Sequence, residues 1–514
     1  MAKKIVFLLI LFSFSLLLRL WNLNQMGRTW DEMVQITKGF YFFQLVRKGD
    51  FSSSFWYSYP DHPPLKDYIY RLTSGLDYKG FDFNRKSMIL GQKGTPVYRY
   101  DLTYSRLMSV LASSLTVVLV ALFGWNYISS FVGVSAGMIF AMLPFFLGLS
   151  QLVTIESLLV FFFTASVYSF ISFLRSISLR KALIAGIFLG LALGIKFTNV
   201  LLIPLFIWIY LLRYFDQDNK NKVKLFDKNI IYILISAFVT FFMLWPMPWL
   251  HLKEVLEFNY NARFLGSKTS VPEVFFGRLM LTPTVYYIVH FLITTPLIIL
   301  GFFLVGLKNI SNRKKWIMYS LIAWFLLPFV QSLYNFRQHG IRYIIEIYAP
   351  LSLIAALGFD SLNSKFTKSL KIKILYFIPV SIYLFAVLLR ISPYYLDYFN
   401  ALVGGAKNVY EKRLFQLGWW GQGAREVGIY LAKNAPYGST VGLAIVPIDV
   451  MPFLEGLKVS RYESTKAYDY AAVSYFNIVR QGFDDSEIRA HYKSVYIVNA
   501  DGAALITVYK HAKR

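Results

Sequence analysis

Gly190-Leu191-Ala192-Leu193-Gly194-Ile195-Lys196-Phe197-Thr198-Asn199 is the stretch on which the fold turns. It lies inside the apolar run 183–212, which forms either one kinked helix or two short helices parted at Lys196-Phe197-Thr198-Asn199. Every loop downstream changes sides with that choice. Loops 213–229, 308–316 and 360–373 together hold 13 Lys and Arg, whereas the opposing loops 250–283 and 333–343 hold 6. Basic residues favour the cytoplasmic side of a membrane. The 13 therefore belong inside, and that requires two helices here.

Outward from this point, a bilayer-crossing helix needs about 20 mostly apolar residues, or somewhat fewer inside a bundle. Spans are expected near 5–20, 105–124, 131–150, 154–174, 183–196, 197–212, 229–249, 284–307, 316–333, 343–359 and 374–391. The first starts like a signal peptide, with Lys3 and Lys4 ahead of an apolar run. Arg19-Leu20-Trp21-Asn22 follows it where a cleavage site would need small residues, so it is expected to stay as an anchor. The expected fold is a polytopic α-helical membrane protein of about eleven transmembrane helices, with a cytoplasmic N-terminus. Residues 1–391 would be the embedded domain, including an extracytoplasmic loop at 21–104. Residues 392–514 would be an extracytoplasmic α/β domain. In that tail, 423–434 has the pattern of a helix with Val427, Tyr430 and Leu431 on one face. Segments 495–499 and 505–509 have the pattern of paired strands around Asp501-Gly502.

Composition agrees with a membrane chain. Of 514 residues, 56% are hydrophobic and 16% charged, and the mean hydropathy is +0.49, which excludes disorder and an ordinary water-soluble class. Lys and Arg number 53 against 28 Asp and Glu, a net charge of +25. A nucleic-acid binder would cluster that charge on a polar domain. Here it sits between apolar runs, so no nucleic-acid partner is expected. The absence of cysteine removes disulfides, thiolate metal sites and a cysteine nucleophile.

Chemistry concentrates on one side of the membrane. Thr29-Trp30-Asp31-Glu32 opens an aromatic helix reaching about Lys48. Thr29 and Glu32 fit a capping box, while Asp31 is a carboxylate at the outer membrane face, suited to accept a proton from a hydroxyl. Pro60-Asp61-His62-Pro63-Pro64-Leu65-Lys66 is a rigid turn. Asp61 belongs to a plain loop boundary, whereas His62 and Lys66 are placed to face an anionic headgroup or a substrate phosphate. Glu156 sits at the outer end of the fourth span, where an acidic residue is expensive unless paired or solvated. Cationic candidates on the same face are Arg106, Lys196, Arg337 and Arg342; arginine suits phosphate because its planar fork donates parallel hydrogen bonds. For each cation alone, snorkelling to headgroups is the simpler explanation; around two carboxylates the set is less easily dismissed. His290, inside a span, is expected to be a satisfied core residue, and Gly421-Gln422-Gly423 a structural turn.

Asp31-Glu32 in a long first loop, His62-Pro63-Pro64-Leu65, Arg106 opening the second span and Glu156 opening the fourth together resemble the membrane-embedded GT-C glycosyltransferases. The nearest resemblance is to the protein O-mannosyltransferase family and its bacterial aminoarabinose-transferase relatives. Gly190 to Thr198, Arg342-Tyr343 and Pro393-Tyr394-Tyr395-Leu396-Asp397-Tyr398-Phe399-Asn400 also resemble that group. The resemblance implies inverting transfer of a sugar from a polyprenyl-phosphate donor to an acceptor on the extracytoplasmic face. It implies Asp31 as general base or acceptor-orienting group, with Glu32 supporting the helix start or the same site. Glu156 stands where relatives usually carry aspartate. Arg106, Lys196, Arg337 and Arg342 would neutralise the departing lipid phosphate, with Tyr343 beside them and His62 assisting. The acceptor is a lipid, a glycan or a protein. Some relatives use a divalent metal and others none, so a metal stays open. The alternatives are a transporter or lipid-linked glycan flippase, another lipid-linked transfer, and an inactive scaffold.

Overall fold

Prolines mark three of the places where long apolar runs bend. The computed structural model describes residues 2–57, 62–77, 102–216, 223–225, 227–261, 272–310, 315–333, 337–445 and 453–512. Helix α1 (Ala2–Leu20) leads to α2 (Trp30–Lys48) and α3 (Leu65–Ser74) of the first loop. There follow α4 (Thr103–Tyr127), α5 (Ser130–Ala141), α6 (Pro144–Ser150), α7 (Ile155–Arg175), α8 (Leu179–Ile195) and α9 (Leu202–Tyr214). After α10 (Asn229–Leu244) and α11 (Met247–Tyr260) comes a hairpin, β1 (Glu273–Phe275) with β2 (Arg278–Met280). The membrane part closes with α12 (Tyr286–Thr294), α13 (Leu297–Lys308), α14 (Lys315–Ser332), α15 (Tyr348–Asn363) and α16 (Leu370–Ile391). Pro60, Asp61 and 78–101 of the first loop lie outside the described residues, as does 217–222.

Five helical segments among the described residues are long and apolar enough to cross a membrane, and three bent pairs raise that to eight. The runs 131–150, 229–249 and 284–307, expected as single spans, are each two helices, bent by 67°, 101° and 113°. Pro144, Pro246 and Pro296 sit at those bends, where a missing N–H and a fixed φ stop the helix that hydropathy alone carries through. At the deciding stretch α8 ends at Ile195, and Lys196 is extended (φ −154°, ψ 132°). A 3₁₀ turn, Phe197–Leu201, then leads into α9. The run is two helices.

Small residues let the helices approach. A Cβ on Gly186 would lie 2.4 Å from the Ile233 carbonyl oxygen, and one on Gly190 2.5 Å from that of Ala237, so α8 meets the backbone of α10 directly. Outward faces are apolar, as Leu234 and Phe238 on α10 and Leu375 and Ile382 on α16 illustrate. That is the surface lipid requires, and the chain is an integral membrane protein.

The tail carries α17 (Gly405–Glu411), α18 (Ala424–Asn434), α19 (Tyr475–Gln481) and α20 (Ser486–His491) around a five-stranded sheet. Its strands are β3 (Thr440–Ala444), β4 (Lys458–Arg461), β5 (Tyr470–Ser474), β6 (Tyr492–Ala500) and β7 (Ala503–His511), in the order β4-β3-β5-β7-β6. β3 is parallel to β4 and β5, and β7 is antiparallel to β5 and β6. The β6–β7 turn is the expected one, with positive φ at Asp501 (49°) and Gly502 (85°). Val427 and Leu431 of α18 are buried, and Tyr430 stacks on Tyr496 with ring centres 4.5 Å apart. The tail is tied to the membrane part: Arg425 Nη1 donates to the Asn24 carbonyl at 2.9 Å. Asn400 Nδ2 donates to the carbonyls of Leu292 (2.6 Å) and Thr295 (2.7 Å).

Candidate functional site: two carboxylates clamped by one arginine

The helix start at Thr29 separates two adjacent carboxylates. Consecutive helical residues point about 100° apart, so Asp31 and Glu32 cannot share an environment. Glu32 turns inward and is fully buried. It closes the capping box by accepting from Thr29 N at 2.9 Å, and it also accepts from Val153 N at 2.9 Å. Arg106 grips it with Nε and Nη2, both at 2.8 Å. The other Arg106 donors reach the carbonyls of Leu23 and Gly27 and the side chain of Asn24. All five N–H groups of Arg106 are thus engaged. That corrects its expected place at a phosphate, because no donor is left for one. Glu32 likewise joins the first loop to α4 and to the segment before α7, with no face toward a substrate.

Asp31 turns the other way, with its side chain 32% exposed. Arg342, at the start of a 3₁₀ segment, Arg342–Ile347, donates from Nη2 to Asp31 Oδ2 at 2.9 Å. The same guanidinium donates from Nε to Glu156 Oε1 at 2.6 Å. One arginine therefore brackets the two carboxylates singled out from sequence. Its Nη1 has no partner among the described residues, which leaves one edge of the fork for an incoming anion. Lys196, at the break after α8, places its ammonium 4.8 Å from the Tyr343 ring centre and close enough to Glu156 and Glu346 to act on their charge. The Tyr343 hydroxyl accepts from Gln338 Nε2 at 3.1 Å.

Residues 9–260, just under half of the chain, match the family model described as dolichyl-phosphate-mannose-protein mannosyltransferase. ArnT from Cupriavidus metallidurans bound to undecaprenyl phosphate superposes with a TM-score of 0.51 over 97% of both chains at 11% identity. The chain has the GT-C fold of that transferase. The apo state of the same ArnT gives 0.51 at 12% identity, again over 97% of both chains. The S. cerevisiae Pmt1-Pmt2 complex bound to the sugar donor aligns at 20% identity over 50% of this chain and 34% of that one, with a TM-score of 0.35. No curated protein matches.

The remaining residues singled out from sequence sit around this cluster rather than in it. Lys66 is fully buried and bonds Asp67 Oδ2 at 2.6 Å; burial raises the Asp67 carboxyl, and the charges of Lys66 and Lys38 oppose that. His62 lies just before α3, behind Pro63 and Pro64. Arg337 is held by carbonyls, donating to Ser332 (2.9 Å), Leu333 (3.2 Å) and Thr282 (3.3 Å), so it braces its loop and does not join Arg342. His290 is buried in the core beside Tyr286, ring centres 4.3 Å apart, but neither ring nitrogen has a hydrogen-bond partner among the described residues; the expectation of a satisfied histidine fails on that point. Among the described residues no three His, Asp or Glu converge as a metal cage. Arg342 already stands between Asp31 and Glu156, so a divalent ion bridging them would have to displace it.

Two features escaped sequence reading. Trp420 of the tail lies over Arg342, ring centre 4.1 Å from the guanidinium carbon, and Trp419 stacks on His339 at 4.6 Å and 9°. The His339 ring is held down to about 3 by burial first and then by the charges of Arg342 and Arg480, so it stays neutral and offers phosphate no charge. Glu346, buried near Lys196, is the other. A Trp-Trp pair between glycines was the one available signal for the first.

Proposed function

We propose that this chain moves a sugar from a polyprenyl-phosphate donor to an acceptor hydroxyl on the extracytoplasmic face, with inversion at the anomeric carbon. The observation that carries this is Asp31: a part-exposed carboxylate bonded through one oxygen to Arg342, with Oδ1 unengaged among the described residues. Asp31 takes the proton of the attacking hydroxyl as the new glycosidic bond forms. The bond from the anomeric carbon to the phosphate oxygen breaks, and the phosphate leaves carrying the electron pair. Arg342 and Lys196 meet that growing charge, with His62 on the approach from the first loop, whereas Lys66, expected there too, is buried on Asp67 and holds α3 instead. Glu156 fixes Arg342 from the far side.

The description of the matched family names dolichyl-phosphate mannose as donor and protein as acceptor. We carry over the polyprenyl-phosphate class; a lipid, glycan or protein hydroxyl all suit the chemistry. The eleven-span topology, the inside N-terminus and the outside tail at 392–514 belong to the same proposal and rest on the basic loops. The broken helices give some support to a transporter, since transporters place broken helices at their binding sites. Membranes containing the full chain, supplied with labelled polyprenyl-phosphate sugar, separate the two. Asp31→Asn should lower transfer by about 10²–10⁴-fold, the usual share of a general base, with unchanged melting temperature. Undiminished transfer in Asp31→Asn would refute the base assignment, and no consumption of donor by the wild type would favour transport.

A further inference from the structure

The tail reaches the Arg342 cluster through one of its turns. Gly418-Trp419-Trp420-Gly421-Gln422-Gly423 is a turn with φ of 64°, 87° and 89° at its three glycines. It is shaped by contacts of its own. Asp397 Oδ1 accepts from Gly418 N at 2.8 Å, Asp397 Oδ2 accepts from Gln422 Nε2 at 3.3 Å, and Gln422 Oε1 accepts from Trp420 N at 2.8 Å. A Cβ on Gly423 would lie 2.7 Å from Val498 Cγ1, so the turn sits hard against β6. What this arrangement presents is a pair of indoles, 4.4 Å apart and only 6–9% exposed. Trp420 covers the face of Arg342, and Trp419 covers the neutral ring of His339 three residues earlier.

An arginine that holds two carboxylates by its edges can still rock about the line joining them. A ring over its face removes that freedom, and the negative face of the ring attracts the guanidinium. We propose that Trp420 is a positioning residue for Arg342, so that the tail completes the transfer site. It acts on the reaction only through Arg342: the free Nη1 edge meets the donor phosphate at a fixed angle because the indole sets the plane.

The rate measurement rests on the transferase reading above; a second measurement does not. In the full chain in lipid vesicles, Trp420 is replaced by mono-, di- and trifluorinated tryptophan through nonsense suppression, which keeps the shape of the ring while draining charge from its face. Stepwise loss of kcat to about tenfold, with KM and melting temperature steady, is expected of a desolvated cation–π contact. Equal rates across the series overturn the proposal. Independently of turnover, labelling of Arg342 by phenylglyoxal is followed by mass spectrometry. Trp420→Leu should label several-fold faster than wild type and Trp420→Phe about as slowly as wild type. Equal labelling in all three overturns the proposal as well. Graded labelling in vesicles where the wild type turns over no donor would refute the transferase reading and leave this one standing.

Discussion

Replacing Glu32 by glutamine keeps the volume of the side chain and removes its charge. Glu32 is fully buried and accepts four strong hydrogen bonds, from Thr29 N, Val153 N and two nitrogens of Arg106, all between 2.8 and 2.9 Å. Whichever way the amide is turned, its NH₂ faces one backbone N–H and one Arg106 N–H, so donor meets donor on that side. Arg106, itself 1% exposed, loses the carboxylate it is bonded to. Breaking a buried ion pair from one side costs about 3–5 kcal/mol. A typical folded chain has only about 5–15 kcal/mol in reserve, so most of the margin would go. Equilibrium unfolding in mixed micelles, followed by tryptophan fluorescence, measures this. Glu32→Gln combined with Arg106→Met should be more stable than Glu32→Gln alone, because the second change removes the stranded charge. The neighbouring Asp31→Asn should leave the unfolding curve in place. Glu32→Gln within about 1 kcal/mol of wild type, or a double variant no better than the single, would refute the view of Glu32 and Arg106 as a structural joint.

Arg342→Lys exchanges a planar fork for a point charge and can hold only one of the two carboxylates well; transfer should fall at least about tenfold at unchanged expression, as read by initial rates. Burial pushes the Asp397 carboxyl up to about 7, with the Gly418 N–H opposing. Its folded form therefore holds the proton more tightly than the unfolded chain, and stability declines as pH rises from about 4 toward 7, by up to about 1.4 kcal/mol per pH unit. Melting temperatures between pH 4 and 8 should fall more steeply in wild type than in Asp397→Asn; parallel curves would count against it. Gly190→Leu forces a side chain into the carbonyl of Ala237, and overpacking of this kind costs about 1–3 kcal/mol or more; a lower melting temperature checks it, and an unchanged one contradicts the close approach of α8 and α10.

Legibility from sequence tracked how local each feature is. The Thr29–Glu32 capping box, the helix break at Lys196 and the β6–β7 turn at Asp501-Gly502 each depend on a few neighbouring residues, and each is found where expected. The bends at Pro144, Pro246 and Pro296 were equally local signals, yet a hydropathy window averages over a proline, so single spans were expected there. Arg106 was placed at a phosphate because the expected topology put it on the same side as Asp31; what it touches depends on a carboxylate 74 positions away.

By itself the sequence determined the helical membrane class of the protein and which charged residues to weigh, because hydropathy, loop charge and capping are written in consecutive residues. Only the tertiary structure decided which charge answers which. Asp31 and Arg342 are 311 positions apart, and Glu156 and Arg342 186. An arginine has one fork and many carboxylates to choose from, and packing of the helices and tail makes that choice. The same packing turned Glu32 inward and Asp31 outward.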